Sequence, residues 1–500
     1  MTSPIDLNPR SLQTVERILA DYVPHCEVRA YGSRAKWEAK DYSDLDLAVV
    51  GAGKCDGRIL GDLREAFEES DLPIRVEVVD WHAIDDAFRS RIEPDCVVIQ
   101  QPARTADWRE FTIGDWSPFS YGRGLPERSR NPTGATRVYG SNGPVGYHDC
   151  SLTEGPTVII GRKGTVGAVH YSPDPCWPID TTFYIEGDDP TTQRFVYYAL
   201  LAAGLSTMNS DSAVPGLSRE AVHAKEILLP PLEDQHAISR VLGALDDKIE
   251  LNTRMSETLG EIARALFRSW FVDFDPVHAK AEGRPTGLPS EIDELFPCSF
   301  ESSELGKIPT GWQVHSLSNI ASFTNGLALQ RFPPTGDSWL PVIKIAEMRR
   351  GYTDQSTKAS AEINPKFVVY DGDVIFSWSG SLEVVLWAHG RGALNQHLFK
   401  VTSRQFPRWF YWNWLQEHLD ELRRIAASKA TTMGHIQRHH LDEAKVVVPP
   451  ELLLFSKDLP LPDIIERQLR HSVQSRTLAT IRDTLLPNLL SGELRVQAAA

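Results

Sequence analysis

The sequence has no long hydrophobic run and few cysteines. Nowhere do 18 consecutive apolar residues occur, which excludes a membrane-spanning helix. The six cysteines are scattered and include no CxxC pair, which argues against a disulfide framework and against a cysteine-rich zinc site. The first residues, MTSPIDLNPRSLQ, lack the basic and apolar segments of a signal peptide. These absences predict a protein of the reducing cytoplasm that does not engage a membrane.

Length and charge bound the number of domains and the kind of partner. The chain has 500 residues, which at roughly 100–200 residues per domain predicts about three or four domains. Its net charge is 52 − 67 = −15, so the chain as a whole supplies no bulk electrostatic attraction for DNA phosphates. This balance argues against a nucleic-acid binder that acts alone. It is compatible with a DNA reader whose partners supply the phosphate contacts.

Four short patterns recur in the chain at a spacing of about 217 residues. The paired positions, with their offsets, are Gly164 and Gly380 (216), Gly216 and Gly434 (218), Pro230 and Pro449 (219), and Thr258 and Thr477 (219). The alternative is that unrelated domains share common turn residues. Because the offset is nearly constant over four matches, we favour a tandem repeat.

Each repeat has a β-rich part and a helical part. The β-rich parts span 108–229 and 312–449 and are interrupted by many glycines and prolines. Short apolar runs such as Thr157–Ile160 and Val374–Phe376 are bounded by turn residues, a pattern typical of strands. We therefore expect two related β-rich domains.

A long amphipathic helix follows each β-rich part. After Pro231, apolar residues recur at spacings of three and four over about 40 residues, a helix of roughly 60 Å. The second helix is predicted to begin near Asp463 and to end or kink at Pro487. Such a helix is often a core element of its own domain. Since its length exceeds the diameter of a domain of about 120 residues, we expect the two helices to pack together instead.

Three stretches of these helices resemble a known family. They are LPPLEDQHAISRVLGALDDKIELN from Leu229 to Asn252, ARALFRSWFVDFDP from Ala263 to Pro276, and TLATIRDTLLPNLLSG from Thr477 to Gly492. They are similar to the conserved helices of the DNA-specificity subunits of type I restriction–modification enzymes. GKIPTGW, which begins at Gly306, resembles the entry to that family's second recognition domain. The resemblance covers about 107–497.

The resemblance implies a function in DNA recognition. Two target-recognition domains would each read half of a split site in double-stranded DNA, and the helices would form an antiparallel spacer between them. Modification subunits that bind S-adenosylmethionine and methylate adenine would dock on the helices, and restriction subunits, which are motor nucleases, would complete the assembly. The subunit itself would need no cofactor for DNA recognition and would not catalyse. Because the two halves differ in sequence, we expect an asymmetric, bipartite target.

Base readout requires polar side chains that reach the edges of the bases in a groove. For any one candidate the alternative is a solvated loop residue. The candidates are Arg162, Lys163, Thr165, Ser212 and Arg219 in the first domain, and Ser379, Ser381, Gln396, His435, Gln437 and Arg438 in the second. The segment HIQRHH at 435–440 has no acidic or cysteine partner at ligand spacing, so we expect no metal there.

Residues 1–105 lie outside the repeat and carry a group of acidic residues. Asp44 and Asp46 are two residues apart in a strand-like run, so both carboxylates would face one way. Two such carboxylates could hold Mg²⁺, which binds through carboxylates and substrate phosphates. Glu77 could add a third carboxylate from a neighbouring strand, whereas Asp80 would face away from it. These acids predict a catalytic metal site.

A Gly-Ser turn precedes the acidic residues. Gly32 and Ser33, with Arg34 beside them, could present backbone N–H groups and polar side chains to a nucleoside triphosphate. With the acids, this region resembles the minimal nucleotidyltransferases of the polymerase-β-like superfamily from about Val15 to Ile99. That implies transfer of a nucleoside monophosphate to a hydroxyl group with Mg²⁺ and a nucleotide, or a nucleotide-binding regulatory or antitoxin-like role. The family usually has Asp where Glu77 stands, so the alternative is a retained fold without activity.

The sequence therefore predicts a multidomain α+β protein. Its six predicted segments are an α/β nucleotidyltransferase-like domain at 1–105, a first target-recognition domain at 106–230, a central spacer helix at 231–275, a connection at 276–311, a second target-recognition domain at 312–450, and a C-terminal spacer helix at 451–500. The two recognition domains are predicted to be repeats, and the two helices to form an antiparallel coiled coil.

Overall fold

The chain forms two compact units. They comprise Met1–Ala244 with Arg482–Ala500, and Leu245–Ile481. Among the described residues, no helix combines the length and the apolar character that crossing a membrane requires. The computed structural model describes residues 4–24, 26–40, 43–51, 53–100, 108–208, 216–334, 336–353, 355–428, 434–494 and 496.

The N-terminal region is a four-stranded sheet with helices. Its elements are α1 (Pro9–Tyr22), β1 (Glu27–Tyr31), β2 (Leu45–Val50), α2 (Gly57–Glu68), β3 (Val76–Asp80), α3 (Asp86–Ile92) and β4 (Val97–Gln100). The strand order is β3-β2-β1-β4, and β2 and β3 run parallel. Asn8 caps α1, because its Oδ1 accepts from the N–H of Ser11 at 2.9 Å. The core contains Val15 and Leu19 of α1 together with Leu47 of β2.

A first β-rich region follows within the same unit. Its elements are β5 (Arg109–Thr112), α4 (Ile113–Trp116), β6 (Ser120–Tyr121), β7 (Thr136–Gly140), β8 (Gly143–His148), β9 (Thr157–Gly161), β10 (Val169–Ser172), β11 (Trp177–Pro178), β12 (Thr182–Glu186), α5 (Pro190–Ala202), α6 (Arg219–His223) and β13 (Glu226–Leu229). One sheet has the order β10-β9-β12-β6, a second has the order β11-β7-β8, and β5 pairs with β13. The predicted strand at Thr157–Ile160 is confirmed as part of β9.

The first long helix, α7 (Leu232–Phe267), continues into a π-helical turn at Arg268–Val272. Beyond it lie α8 (Asp275–Ala281), α9 (Ser290–Asp293), β14 (Phe300–Ser303) and β15 (Gly306–Pro309), the last two forming a hairpin. Phe271 is fully buried in an aromatic cluster, with its ring centroid 5.2 Å from that of Phe267 and 5.5 Å from that of Trp409. The end of α7 therefore belongs to the core of the second unit.

A second β-rich region forms most of that unit. Its elements are β16 (Gln313–Ser316), α10 (Leu317–Ile320), β17 (Ser322–Asn325), β18 (Trp339–Ile343), α11 (Ile345–Arg350), β19 (Lys358–Ser360), β20 (Val368–Val369), β21 (Val374–Ser377), β22 (Val384–Leu386), β23 (Gly392–Leu394), β24 (Leu398–Thr402), α12 (Arg408–Ser428), α13 (Arg438–Glu443) and β25 (Lys445–Val448). Its sheets have the orders β17-β24-β21-β22 and β19-β18-β23-β20, and β16 pairs with β25. The predicted strand at Val374–Phe376 is confirmed as part of β21.

The two β-rich regions have corresponding strand orders. The order β6-β12-β9-β10 of the first corresponds to β17-β24-β21-β22 of the second, and in each region the first strand pairs with the last. In the other sheet, β8-β7-β11 corresponds to β19-β18-β23, with one antiparallel and one parallel pairing in each. The second region differs by the additional edge strand β20.

A glycine follows the first strand of each corresponding sheet. A Cβ atom added at Gly122, after β6, would lie 2.1 Å from the carbonyl oxygen of Ile179. One added at Gly326, after β17, would lie 2.1 Å from the carbonyl oxygen of Asn395. Because both neighbours are backbone atoms, neither position accepts a side chain unless the facing backbone moves.

The last part of the chain contains α14 (Glu451–Leu454) and the second long helix, α15 (Pro460–Ser491). Of the two outcomes predicted for Pro487, an end of the helix is wrong, because α15 continues past it to Ser491. Proline removes one helical hydrogen bond. On either side of Pro487, however, Leu486 and Leu489 are buried in one apolar cluster with Tyr198, and this packing stabilises the last turn.

Polar side chains of α7 and α15 contact each other within the second unit. Nδ2 of Asn252, which is fully buried, donates to Oε1 of Gln474 at 3.0 Å. Nε2 of Gln468 donates to the carbonyl oxygen of Ser256 at 3.2 Å. From Asn252 to Ser256 the contacts advance along α7, while their partners step back along α15 from Gln474 to Gln468. This reversed order is the one that antiparallel helices give. A buried Asn paired in this way disfavours other alignments of two helices.

One largely buried histidine leads us to expect a loss of stability in acid. Nε2 of His418 lies 2.9 Å from the carbonyl oxygen of Lys445, and its side chain is 15% exposed. Burial lowers the pKa of this imidazole from its usual value despite the carbonyl and nearby carboxylates. In the unfolded chain this imidazole therefore binds a proton near pH 6.5, whereas in the folded chain it binds the proton only at lower pH. The stability that the neutral ring supports is present above that pH and is lost as the pH falls below it.

We expect His418→Gln to reduce this acid loss by on the order of 1 kcal/mol. Urea denaturation followed by tryptophan fluorescence, compared between pH 7.5 and pH 5, measures it. His439→Gln, at an exposed position of α13, is the matched control. An unchanged pH dependence in His418→Gln would contradict the assignment.

Candidate functional site

Three carboxylates lie on one face of the N-terminal sheet. Asp46 on β2 is the register partner of Glu77 on the parallel strand β3, so their side chains point the same way. Asp44 directly precedes β2 and is two residues from Asp46. Burial, then the negative charges of Glu77 and Asp44, raise the pKa of Asp46 above its ordinary value. The site therefore concentrates negative charge that a cation would offset.

Tyr31 and Gly32 border the carboxylates from the neighbouring strand. Tyr31 of β1 is the register partner of Asp46, and burial together with the charges of Asp46 and Glu77 raises its pKa to about 12. Gly32 has φ +79°, and a Cβ atom there would lie 2.4 Å from Oδ2 of Asp46. The turn thus brings bare backbone against a carboxylate, which requires glycine. Carboxylate oxygens such as those of Asp44, Asp46 and Glu77 are the ligand type that Mg²⁺ takes together with nucleotide phosphates, so these are the residues that would hold the ion.

The side chain of Arg34 forms hydrogen bonds to the protein backbone. Its side chain is buried, its Nε and Nη2 donate to the carbonyl oxygen of Ser43 at 2.9 and 2.8 Å, and its Nη1 donates to that of Asp6 at 2.8 Å. Arg34 therefore fastens the loop between β1 and β2 to the segment before α1. Ser33 lies in the same turn, half-buried, and its carbonyl oxygen accepts from the N–H of Glu38 at 2.9 Å. Nucleotide contacts by Gly32, Ser33 and Arg34 stay predictions.

In the first β-rich region, the structure brings two predicted loops together. Lys163 forms an antiparallel bridge with Gly216. The N–H of Leu217 donates to the carbonyl oxygen of Arg162 at 2.9 Å. Because these pairings join the loop after β9 to the loop before α6, Arg162, Lys163 and Arg219 share one end of the sheet.

Two of these side chains meet at an exposed tyrosine. Tyr121 of β6 is 49% exposed, and the guanidinium carbons of Arg219 and Arg162 lie 4.9 and 5.4 Å from its ring centroid. Nη2 of Arg162 donates to the carbonyl oxygen of Asp180 at 2.9 Å, so Arg162 is anchored in the loop. Nη2 of Arg219 lies 3.9 Å from the carboxylate of the exposed Glu220. The end of this sheet thus carries an aromatic ring with two cations.

The second β-rich region has the same backbone pairing with other side chains. Ser379 forms an antiparallel bridge with His435, and the N–H of Ile436 donates to the carbonyl oxygen of Trp378 at 3.0 Å. Nε1 of Trp378 donates to Oδ1 of Asn325 at 3.1 Å. This end of the sheet therefore carries an aromatic ring with an amide.

The other predicted residues of the second region lie near these pairings. Nδ1 of the exposed His397 is 3.1 Å from Oγ of Ser379, and its Nε2 is 3.2 Å from Nε2 of Gln396. Gln437 and Arg438 are exposed where α13 begins, and Ser381 is exposed after β21. The structure thus brings Ser379, Gln396 and His435 together.

Two predicted residues of the first region are not part of its cluster as described. Thr165 is exposed in the loop after β9. Ser212 lies outside the described residues. Both stay predictions.

The expectation that no acidic group lies near HIQRHH is wrong. One potential ligand atom from each of His439, His440 and Glu443 lies within 4.8 Å of the others. The sequence argument failed because Glu443 stands beyond the segment but returns to it within one turn of α13. Nδ1 of the buried His440, however, accepts from the N–H of Gln437 at 3.0 Å. That nitrogen is therefore committed to capping the helix.

Three residues of these clusters were missed from sequence. Tyr121 belongs to a two-residue strand, too short to show alternation, and Asn325 and Trp378 carried no pattern that distinguishes them from core positions. Their signal lies in the correspondence of the two sheets, which needs the strand pairing.

Comparison with known proteins separates the chain into two parts. Residues 105–261 match the family model of the type I restriction modification DNA specificity domain. The HindI type I restriction enzyme specificity subunit of Haemophilus influenzae is 25% identical over 346 residues, which cover 60% of this chain and 74% of that protein. The MjaIX specificity subunit of Methanocaldococcus jannaschii is 26% identical over 366 residues, which cover 70% and 80%.

The N-terminal region is similar to a different protein. The probable protein adenylyltransferase MntA of Haemophilus influenzae is 43% identical over 103 residues, which cover 21% of this chain and 90% of that protein. The carboxylates and the Gly-Ser turn lie in this part of the chain.

Proposed function

We propose that the chain is a DNA-specificity subunit of a type I restriction–modification system with an MntA-like nucleotidyltransferase domain in its N-terminal region, and that its two β-rich regions read an asymmetric, two-part DNA site. As such a subunit, it supplies the sequence specificity of the complex. The observation that carries the two-part site is the corresponding strand order of the two regions, combined with different side chains at the ends of their sheets. Two domains with the same strand order but different side chains at the ends of their sheets support two half-sites of different sequence.

The predicted DNA-contacting residues are part of this proposal. Cationic and amide side chains recognise acceptors and donors on base edges in the major groove. The first region would use Arg162, Lys163, Thr165, Ser212 and Arg219, and the second would use Ser379, Ser381, Gln396, His435, Gln437 and Arg438. Arg162 would mainly orient its neighbours rather than contact a base, since its Nη2 already donates to the carbonyl oxygen of Asp180.

The long helices are proposed to form the antiparallel coiled-coil spacer between two repeated recognition domains. The 36 residues of α7 correspond to about 54 Å of helix, and one turn of DNA is about 34 Å. The contacts of Asn252 with Gln474 and of Ser256 with Gln468 support the antiparallel order. A helix pair of this length suits half-sites roughly one turn apart.

The partners are proposed from the same family. Modification subunits, which would carry S-adenosylmethionine, would methylate adenine in the target, and restriction subunits would cleave unmodified DNA. Segment 230–305 has 7 Lys and Arg against 15 Asp and Glu. This charge of 7 − 15 = −8 suits a surface that meets protein rather than phosphate.

Sequencing of native genomic DNA tests the proposal. A host strain that carries the chain and its modification partner is compared with the same strain after deletion of the gene for this chain. We expect methylated adenine at a two-part motif in the first strain and complete loss of that mark in the second. A mark that persists after deletion, or that occurs at a continuous motif, would contradict the proposal.

The carboxylate site favours a second function for the N-terminal domain, the transfer of a nucleoside monophosphate to a hydroxyl group. Asp44, Asp46 and Glu77 would hold Mg²⁺, which when bound neutralises phosphate charge. Gly32 and Ser33 would face the phosphates of the nucleotide. Glu77 in place of the usual Asp favours the alternative of a nucleotide-binding, regulatory domain without transfer activity. Incubation of the chain and its partners with α-labelled ATP distinguishes the two, because only transfer leaves label on an acceptor.

A further inference from the structure

The two β-rich sheets correspond residue by residue at one end. In the first, Phe183 pairs with Ile160 and Tyr121. In the second, Phe399 pairs with Phe376 and Asn325. Since Phe183 and Phe399 hold the same place between their neighbouring strands, Tyr121 and Asn325 occupy equivalent positions.

The loops beyond these strands correspond as well. Leu217 donates from its N–H to the carbonyl oxygen of Arg162, and Ile436 does so to that of Trp378. Arg162 and Trp378 are therefore equivalent. Counting two residues past Leu217 and Ile436 leads to Arg219 and Arg438, each the first residue of a short helix.

These three equivalent positions are called the edge set. Its members are Tyr121, Arg162 and Arg219 in the first region, and Asn325, Trp378 and Arg438 in the second. Only the arginine at the start of the helix is common to both. At the other two positions, an aromatic ring with a cation in one region is replaced by an amide with an aromatic ring in the other.

We infer that the edge set decides which bases each region accepts, an inference that rests on the proposed function. Arg219 and Arg438 are the base-contacting members, because a guanidinium matches the O6 and N7 acceptors of guanine through two parallel hydrogen bonds. The other members are positioning residues that aim the arginine.

The contacts of Tyr121 support this division. Its ring lies within 5.4 Å of two guanidinium carbons, and a ring face attracts each cation. Arg162 is anchored by a hydrogen bond of 2.9 Å to the carbonyl oxygen of Asp180. The contact of Arg219 with the exposed carboxylate of Glu220 is longer, at 3.9 Å. Two positive charges at one ring favour an acceptor-rich partner, and Arg219 is the one less committed to the loop.

The positioning differs in the second region. Trp378 lies tilted 40° to the ring of His397, with centroids 5.8 Å apart, and donates to Asn325. A neutral pair therefore stands where the first region has a cation and a ring. Because their neighbouring side chains differ, Arg219 and Arg438 would be oriented differently toward DNA and would read different sequences.

Native-DNA sequencing of a host that lacks its own adenine methylation tests the inference. The host carries the full-length chain with its modification subunit, and the probe is the genomic DNA itself. Arg219→Ala is expected to relax one half of the methylated motif by about tenfold or more at the affected base pair, with the other half unchanged. Arg438→Ala is expected to relax only the other half. Arg128→Ala, at an exposed arginine of the first region outside the edge set, is the matched control.

A second pair of variants separates positioning from folding. Tyr121→Phe keeps the ring and is expected to keep the wild-type motif, whereas Tyr121→Ala is expected to relax the same half as Arg219→Ala. The melting temperature of each variant verifies that it is folded. The inference is overturned if Arg219→Ala and Arg438→Ala retain the wild-type motif, or if both weaken methylation equally in both halves. Absence of any two-part motif with the wild-type chain would instead overturn the proposed function.

Discussion

Replacement of Asp44 and Asp46 together by asparagine is expected to lower nucleotidyl transfer by about a thousandfold or more. Metal ions contribute several kcal/mol of charge stabilisation in such reactions, and about 1.36 kcal/mol corresponds to a factor of ten in rate. Asparagine preserves the size of the side chain but removes the charge. The measurement is label transferred from α-labelled ATP to a protein acceptor by the chain with its partner subunits.

The same variant should remain folded and should still direct methylation. Neutral side chains remove both the burial of a charged group and the repulsion between carboxylates, which together raise the pKa of Asp46, so the melting temperature should not fall. Asp62→Asn, at an exposed position of α2, is the matched control. Equal transfer by wild type and double variant would refute catalysis at these residues. Binding of nucleotide without any transfer by the wild type would favour the regulatory alternative.

Phe271→Ala is expected to lower the free energy of unfolding of the second unit by about 3–5 kcal/mol. Phe271 is fully buried, and its ring contacts those of Phe267, Trp312 and Trp409 at centroid distances of 5.2 to 5.8 Å. Truncation leaves a cavity where the π-helical turn meets α12. Hydrogen exchange of the amides of β16 and β25 measures the loss within this unit.

The control for Phe271→Ala lies on the same helix. Leu251 of α7 is 50% exposed, so Leu251→Ala is expected to change stability by about 0.5 kcal/mol or less. A loss below about 1 kcal/mol for Phe271→Ala would show that the site collapses around the smaller side chain. That result would contradict a rigid aromatic core.

Periodic patterns made the long elements predictable. The helix predicted after Pro231 begins at Leu232, and the runs around Ile159 and Ile375 are central strands, because burial on both faces leaves a continuous apolar run. Pro487 was misleading, since proline's cost is local whereas the packing of Leu486 and Leu489 comes from distant residues.

In the candidate sites too, local patterns predicted some residues correctly, whereas the surroundings of others depend on distant parts of the chain. Asp44 and Asp46 were predicted to face the same way because the alternation of a strand is regular, and Glu77 was expected to add a carboxylate from a neighbouring strand. The pairing of Asp46 with Glu77 on adjacent strands agrees with the second expectation. Arg34 was predicted beside a nucleotide, yet its guanidinium donates to the backbone carbonyls of Asp6 and Ser43. Nothing in the local sequence reveals where those carbonyls lie.

The edge set was the least predictable feature. Arg162 and Arg219 are 57 positions apart, and Tyr121 is 41 before the nearer of them. Only the pairing of strands and loops brings them together. Tyr121 could not be selected from an alternating pattern, because its strand has two residues.

The crowded glycines at 122 and 326 bear on how such a protein changes over evolutionary time. Each sits directly after the first member of an edge set and permits no side chain against the facing carbonyl. Mutation can therefore alter the neighbours freely while this one position holds the backbone path constant. If the edge set decides the target as we infer, a few substitutions there would change the preference of one half of the molecule without rebuilding the scaffold and without disturbing the other half.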